Sequence, residues 1–342
     1  MFGLMIFVHE LGHFIAARIF HVKVNEFAIG MGPAIIKKQR GETQYSLRIL
    51  PFGGFCAMEG EDEESSAEGA FGTKPVWQRI IILISGAFMN FVSGLLILLI
   101  LMMPIEQYTT TEISAFSEGF PYRGENMLLE NDKILEINGS SIYLFSDISM
   151  FLGLDSNRPY DILVKRDGRE LLLEEVPLKP QEYLTEIQTE QGTEVVPIMR
   201  YGMEFKAKDA GFFDKLRLAW FNAIDFMRLV RISVVQLFSG EAALSDLSGP
   251  IGITSVLTET AKASMYSMWM FVSLIAINLA VLNLMPLPAL DGGRLVFLLI
   301  EMIRGKPVNP KYEGFVHLVG LAVFMLLMIY VGYNDIARLI SR

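Results

Sequence analysis

Three stretches of this chain run for twenty or more residues almost without charge. Residues 80–103, 263–290 and 315–334 contain no Asp, Glu, Lys or Arg, and the last holds one histidine, His317. At about 1.5 Å per helical residue, each reaches across roughly 30 Å of hydrocarbon. A fourth apolar run, residues 1–20, is shorter and more polar because His9, Glu10 and His13 lie inside it. Between the first two runs the period changes. Residues 35–50 read as strand, turn at Gly41, strand, and Pro51-Phe52-Gly53-Gly54-Phe55 turns the chain again. This hairpin, residues 28–58, is too polar to span and too apolar for a linker, so it is expected to dip back toward the first span. Irregular backbone survives at membrane depth only where protein or water satisfies it.

The stretch after the second span reads as a small soluble domain rich in strands, residues 104–182. Residues 132–142 give a strand, an Asn138-Gly139 turn and a second short strand. Residues 144–154 have helical spacing, and residues 160–173 form a hairpin turning at Asp167-Gly168. Residues 183–262 are expected to hold a linker and then an amphipathic helix at 213–238. There Lys215, Arg217, Arg228 and Arg231 interrupt the apolar positions, the pattern of a helix lying on a membrane surface. Residues 263–342 then complete the membrane part. No repeats are evident.

Composition sharpens this picture. Hydrophobic residues make up 52% of the chain and charged ones 20%, so the apolar excess is concentrated in the spans. Cys56 is the only cysteine, which excludes an intrachain disulfide and a thiolate zinc site. The net charge of −9 is uneven and no basic tract suits nucleic acid. Residues 1–20 lack the basic leader of a cleaved signal peptide. The lead-in before His9 is short, to be met by chain upstream of Met1 or by a tilted helix. Eight Lys and Arg lie between Arg18 and Arg79 and four between Arg294 and Lys311. These two loops are therefore expected in the cytoplasm, with both termini outside. Arg338 and Arg342 run against that orientation.

Candidate chemistry sits in the first span. Positions i and i+4 share a helix face, so His9 and His13 can reach one metal ion, with Glu10 beside them to act on a bound water. Three ionisable groups in a membrane helix are costly, and such groups mark function. Zinc needs a third protein ligand and leaves its fourth position to water. The best candidate is Asp291, which closes the longest uncharged run, after Pro286 and Pro288 break the helix.

His9-Glu10-Leu11-Gly12-His13 in a first span, with Asn283-x-x-Pro286-x-Pro288-x-Leu290-Asp291-Gly292 in a late one, resembles the site-2 protease family of intramembrane zinc metalloproteases (peptidase M50). The resemblance is narrower to its bacterial RseP-like branch. Leu50-Pro51-Phe52-Gly53-Gly54-Phe55, Ser85-Gly86-Ala87-Phe88-Met89-Asn90 and Ser248-Gly249-Pro250-Ile251-Gly252-Ile253 match further motifs of that branch in order. It implies a polytopic α-helical membrane protein with four transmembrane helices, a membrane-associated β-hairpin and an inserted β-rich PDZ domain. One zinc ion would be held by His9, His13 and Asp291, with Glu10 as the catalytic acid–base. Asn90, Asn278 and Asn283 would face substrate or hold the site's polar groups; the reading of these asparagines as interhelical hydrogen-bonding residues stands beside it. The hairpin, with Gly53 and Gly54, would pair with an unwound substrate. Substrates would be single-span membrane proteins, such as pre-cut anti-sigma factors, or remnant signal peptides. The place implied is the bacterial plasma membrane, the active site toward the cytoplasm and the PDZ domain outside.

The chain departs from the branch in two ways. It has a single PDZ-like segment, and Asn131-Asp132 replaces the usual Gly-Asp before the first core strand; Asn tolerates the left-handed conformation that position needs. The alternative function is a non-proteolytic PDZ scaffold, disfavoured by the intact His9, Glu10, His13 and Asp291 set. An ion transporter is disfavoured by the histidine spacing and the lack of repeated halves. The remaining residues have plainer expectations: His21 at the surface, His317 in helix packing, Cys56 as a small apolar side chain, and residues 59–68 as solvated surface.

Overall fold

The computed structural model describes residues 2–61, 65–154, 158–189, 192–240 and 249–340. Met1–Leu101 with Ala223–Arg342 form one compact unit, and Met102–Asn222 form a second.

The first unit begins with α1 (Phe2–Ile19), whose buried residues Met5, His9, Gly12, His13, Ala16 and Ala17 fall at helical spacing on one face. Strands β1 (Val24–Arg40) and β2 (Thr43–Met58) follow, closing at Arg40 and Thr43 around Gly41. The hairpin is more folded than the sequence suggests. Residues 26–29 pair with both 44–47 and 54–57, while residues 34–40 pair with 43–48. Two long strands thus make four short rows, ordered 34–40, 43–48, 26–29 and 54–58. The reversal expected at Pro51–Phe55 occurs inside the continuous strand β2. Gly53 takes φ 84 there and Gly30 φ 85 in β1, conformations that side chains with a Cβ resist. Helix α2 (Val76–Met102) then runs 27 residues. Ala16, Ala17, Phe27, Met58, Phe71 and Ile82 form one core joining α1, the hairpin and α2.

The second unit contains β3 (Gln107–Phe116), β4 (Lys133–Ile137), β5 (Ser140–Ser141), α3 (Phe145–Leu154), β6 (Tyr160–Arg166), β7 (Arg169–Val176), β8 (Gln181–Thr189), β9 (Gly192–Arg200) and β10 (Met203–Asp209). The main sheet is ordered β10-β3-β4-β6-β7, with β5 on β4, while β8 and β9 form a separate antiparallel pair. Local rules decide much of it. Asn138-Gly139 and Asp167-Gly168 both take positive φ (49 and 72, 49 and 80), as two-residue hairpin turns require. Asn131 takes φ 72. The next residue, Asp132, is fully buried and holds Arg166 at 2.7 Å. Ile113, Ile134, Ile137, Tyr160, Ile162 and Val164 fill the core.

The first part of residues 183–262 is not the linker expected. Strands β8, β9 and β10 occupy 181–209, and β10 joins the sheet at the edge of β3. The frequent charged residues, as in Met203-Glu204-Phe205, mark half-buried strands rather than linker, so the domain reaches well past residue 182. The amphipathic helix is present as α4 (Phe212–Ser239).

The chain then forms α5 (Pro250–Ala263), α6 (Met265–Leu284), α7 (Asp291–Arg304) and α8 (Pro310–Ile340) in the first unit. Helix α5 is a further element inside the expected linker. Ser248, at the head of its motif, lies outside the described residues. Among the described residues, four helices are long and apolar enough to cross a membrane: Phe2–Ile19, Val76–Met102, Met265–Leu284 and Lys311–Arg338. The third ends at Leu284, six residues before the uncharged run does, because Pro286 and Pro288 supply no N–H and cannot continue the ladder.

Candidate metal centre

One turn of α1 separates His9 from His13, and both are more than nine-tenths buried. Their Nε2 atoms lie 3.2 Å apart. Asp291 is the first residue of α7, and its Oδ2 comes within 3.1 Å of His9 Nε2 and 3.3 Å of His13 Nε2. Among the described residues, these three form the group able to hold a metal ion. Four ligands set tetrahedrally at about 2.0–2.1 Å stand about 3.3 Å from one another, so the triangle has the edge length of a zinc site with its fourth corner open.

The histidines are oriented from behind. His13 Nδ1 donates to the Ile82 carbonyl of α2 at 2.8 Å, which leaves the Nε2 lone pair turned inward. His9 Nδ1 lies 3.3 Å from Nδ2 of the Asn283 side chain on α6, and half a turn of that amide exchanges its nitrogen for its oxygen. When that amide presents its oxygen, His9 Nδ1 keeps its proton and Nε2 is free for metal. Asp291 Oδ2 is buried and receives no hydrogen bond. Two imidazole lone pairs and a carboxylate oxygen aimed at one point repel one another unless a cation lies among them. The donor set therefore fits a divalent ion.

Glycine makes the crossing possible. A Cβ on Gly86 of α2 would lie 2.3 Å from His13 Nε2, and one on Gly12 would lie 2.2 Å from the Ser85 carbonyl. The two helices meet where neither carries a side chain, and the site forms in that gap. On the other side, a Cβ on Gly54 would sit 3.5 Å from Glu10 Cγ, and the Cys56 amide faces the Glu10 carboxylate. The outer hairpin row, residues 54–58, thus runs beside Glu10. Gly53 is one residue further out, where a Cβ would meet Met31.

The connection between α6 and α7 aims Asp291. Leu287 N donates to Met285 O and Leu290 N to Leu287 O, while Ala289 N donates to His317 Nδ1 of α8 at 3.1 Å. Ala289 holds φ 73, which costs a residue with a Cβ about 1–2 kcal/mol. Gly292 and Gly293 let the chain double back, since Cβ atoms there would meet the Met285 and Leu287 carbonyls at 2.0 and 2.5 Å. Helix α7 is tied down further along by Glu301 with Arg79 of α2 at 2.5 Å, and by Arg294 with Glu61 at the end of the hairpin.

Of the residues singled out from sequence, His9, His13, Glu10, Asp291, Asn283 and Gly54 come together here. Asn90, 1% exposed on α2, and Asn278 on α6 each bury an Oδ1 without a hydrogen-bond partner. His317 does more than pack helices, and residues 59–68 are not simply solvated, because Glu59 binds Asn25 and Ser65 and Glu61 binds Arg294. His21 is exposed as expected. Gly12, Gly86, Ile82 and the Arg79–Glu301 pair were not expected. Small residues inside an apolar span were the available signal for the two glycines; a backbone carbonyl leaves none.

A family model described as peptidase family M50 matches residues 1–327. A protein of Fusobacterium nucleatum named "Putative zinc metalloprotease" is 36% identical over all of this chain and 98% of its own length. A protein of Clostridium perfringens with the same descriptive name is 35% identical over 98% of this chain and 96% of its own. The regulator of sigma-W protease RasP of Bacillus subtilis is 29% identical over 99% of this chain and 97% of its own. Matched from its first span into its last, with the helices that supply both histidines and the aspartate inside the match, this chain belongs to peptidase family M50.

Proposed function

We propose that this protein is an intramembrane zinc endopeptidase that cuts within the membrane-spanning segments of single-span proteins. The observation that carries the reading is the meeting of His9, His13 and Asp291 beside Glu10, with the histidines on a helix apolar enough to cross a bilayer and Asp291 a short connection beyond another. Those three residues would hold one zinc ion, which when bound supplies a Lewis acid and lowers the pKa of water toward neutrality. Glu10, next to His9 and facing the hairpin, takes the proton from the attacking water and delivers it to the departing amide nitrogen. The Ile82 carbonyl keeps the His13 imidazole in the ligating tautomer, and Asn283, with its amide turned so that the oxygen faces Nδ1, would do the same for His9.

A helical peptide bond is shielded by its own ladder, so a substrate must be extended before water can attack. The row 54–58 offers a strand edge beside Glu10, and Gly54, with Gly53 before it, leaves the end of that edge nearest Glu10 without a side chain. An unwound substrate adds to this edge by backbone pairing. The inserted β domain is read as a PDZ domain that screens substrates outside the cytoplasm, with the metal site toward the cytoplasmic face of a bacterial plasma membrane. Substrates of this kind include anti-sigma factors already cut outside, a reading supported by the name of the B. subtilis relative, and remnant signal peptides.

Co-expression with a tagged single-span substrate tests the proposal. Wild type is expected to release a fragment cut inside the span, and Glu10→Gln to leave the substrate whole. Equal cleavage by both forms, or none by zinc-loaded wild type across a broad substrate panel, would overturn it.

A further inference from the structure

Among the described residues, helix α8 is the most exposed of the four apolar helices. It nevertheless meets the α6–α7 connection closely. A Cβ on Gly320 would lie 2.1 Å from Pro288 Cβ, and one turn earlier His317 Nδ1 accepts the Ala289 N–H at 3.1 Å. Two prolines leave residues 286–290 with three backbone donors. Leu287 and Leu290 donate within the connection; Ala289 alone donates to a side chain from another helix. At membrane depth an N–H without an acceptor is expensive. Ala289 is also the residue held at φ 73, two positions before Asp291.

We infer that His317 is a positioning residue for the metal centre: by accepting the Ala289 N–H it locks the strained connection that points Asp291 at His9 and His13. Resting on the zinc reading above, the inference adds a role for the last span, which supplies no ligand. His317 acts as an acceptor at Nδ1, so its ring proton sits on Nε2. Gly320 is part of the same device, because only a residue without a Cβ lets α8 approach near enough for the bond.

The test uses full-length protein in detergent, as wild type, His317→Leu and His317→Asn. Asn carries Oδ1 near the place of the imidazole Nδ1 and can accept the same N–H; Leu cannot. The first readout is hydrogen exchange across residues 286–292 in chelator-treated protein, which needs no metal. Exchange is expected to quicken at least tenfold in His317→Leu and to stay near wild type in His317→Asn. The second is zinc affinity by chelator competition, with the absorption spectrum of the cobalt-substituted site. His317→Leu is expected to bind zinc about 10–100-fold more weakly and to shift the cobalt bands. His317→Asn is expected to restore both. Wild-type exchange and affinity in folded His317→Leu, or failure of His317→Asn to rescue while folded, would overturn the inference. A wild type that binds no zinc would overturn the proposed function instead, and the exchange data would still decide whether His317 holds the connection.

Discussion

The inserted β domain and the metal centre are built by opposite means. In the β domain, neighbours in sequence set the structure: Asn-Gly and Asp-Gly turns fix two hairpins, and Asn131 turns the chain into β4. Its buried ion pair, Asp132 with Arg166, ties residues within one small sheet, and Arg166 also donates to the Glu125 and Met127 carbonyls. At the metal centre, His9 and Asp291 lie some 280 residues apart in sequence. They meet because Gly12 and Gly86 let α1 and α2 touch, and because α6 stops before Pro286. The β domain is specified by what its turn residues prefer, and the metal centre by what its glycines leave out.

That contrast can be broken in order of expected effect. Filling the helix crossing should be the most damaging change: Gly86→Leu places atoms where His13 Nε2 lies, and zinc affinity should fall more than about 100-fold, near 3 kcal/mol or more. Chelator competition measures it; near-normal affinity would show that the crossing is loose. Asp132→Ala should act only on the β domain. Removing one partner of a buried pair there should cost about 3 kcal/mol in denaturant unfolding of that domain. Zinc affinity should stay within about twofold, and a matching loss of metal would deny the separation of the two regions.

Asn283→Ala should lower zinc affinity about tenfold, near 1.4 kcal/mol, by releasing the tautomer of His9 while the ligands remain. The smallest effect concerns the hairpin. Burial alone would raise the Glu26 pKa, but hydrogen bonds from Ser46 and Arg48 and the Arg48 charge hold it below its ordinary 4.5. A depressed carboxylate contributes stability that is complete above the unfolded value and lost as pH falls through the folded one. Hydrogen-exchange protection of residues 43–48 should therefore be flat above about pH 5 and decline below pH 4.5. In Glu26→Gln the decline should be shallower, and an identical profile would remove Glu26 as its source.

How much of this was legible follows the same division. Uncharged runs located the long apolar helices, and the spacing of His9 and His13 announced a shared site, because both signals are local. Asp291 was readable from its isolation at the end of an apolar run. The hairpin's four rows were not, since one strand pairing twice leaves the same alternating pattern as a strand pairing once. Strands β8 to β10 read as linker in sequence because their charged residues hide half-buried alternation. The Ile82 carbonyl is invisible in any sequence, and the Ala289 bond depends on α8 arriving beside the two prolines. Residues that act through their backbone, or through the absence of a side chain, leave little trace in composition or period.

The central claim is that α1 and α7 together make one metal site. Zinc content of purified full-length protein tests it most directly, in wild type, His9→Ala, His13→Ala, Asp291→Ala and Glu10→Gln. One equivalent is expected in wild type and in Glu10→Gln, and far less than one in each of the three ligand variants although they remain folded. A full equivalent in Asp291→Ala, or none in wild type, would contradict the account.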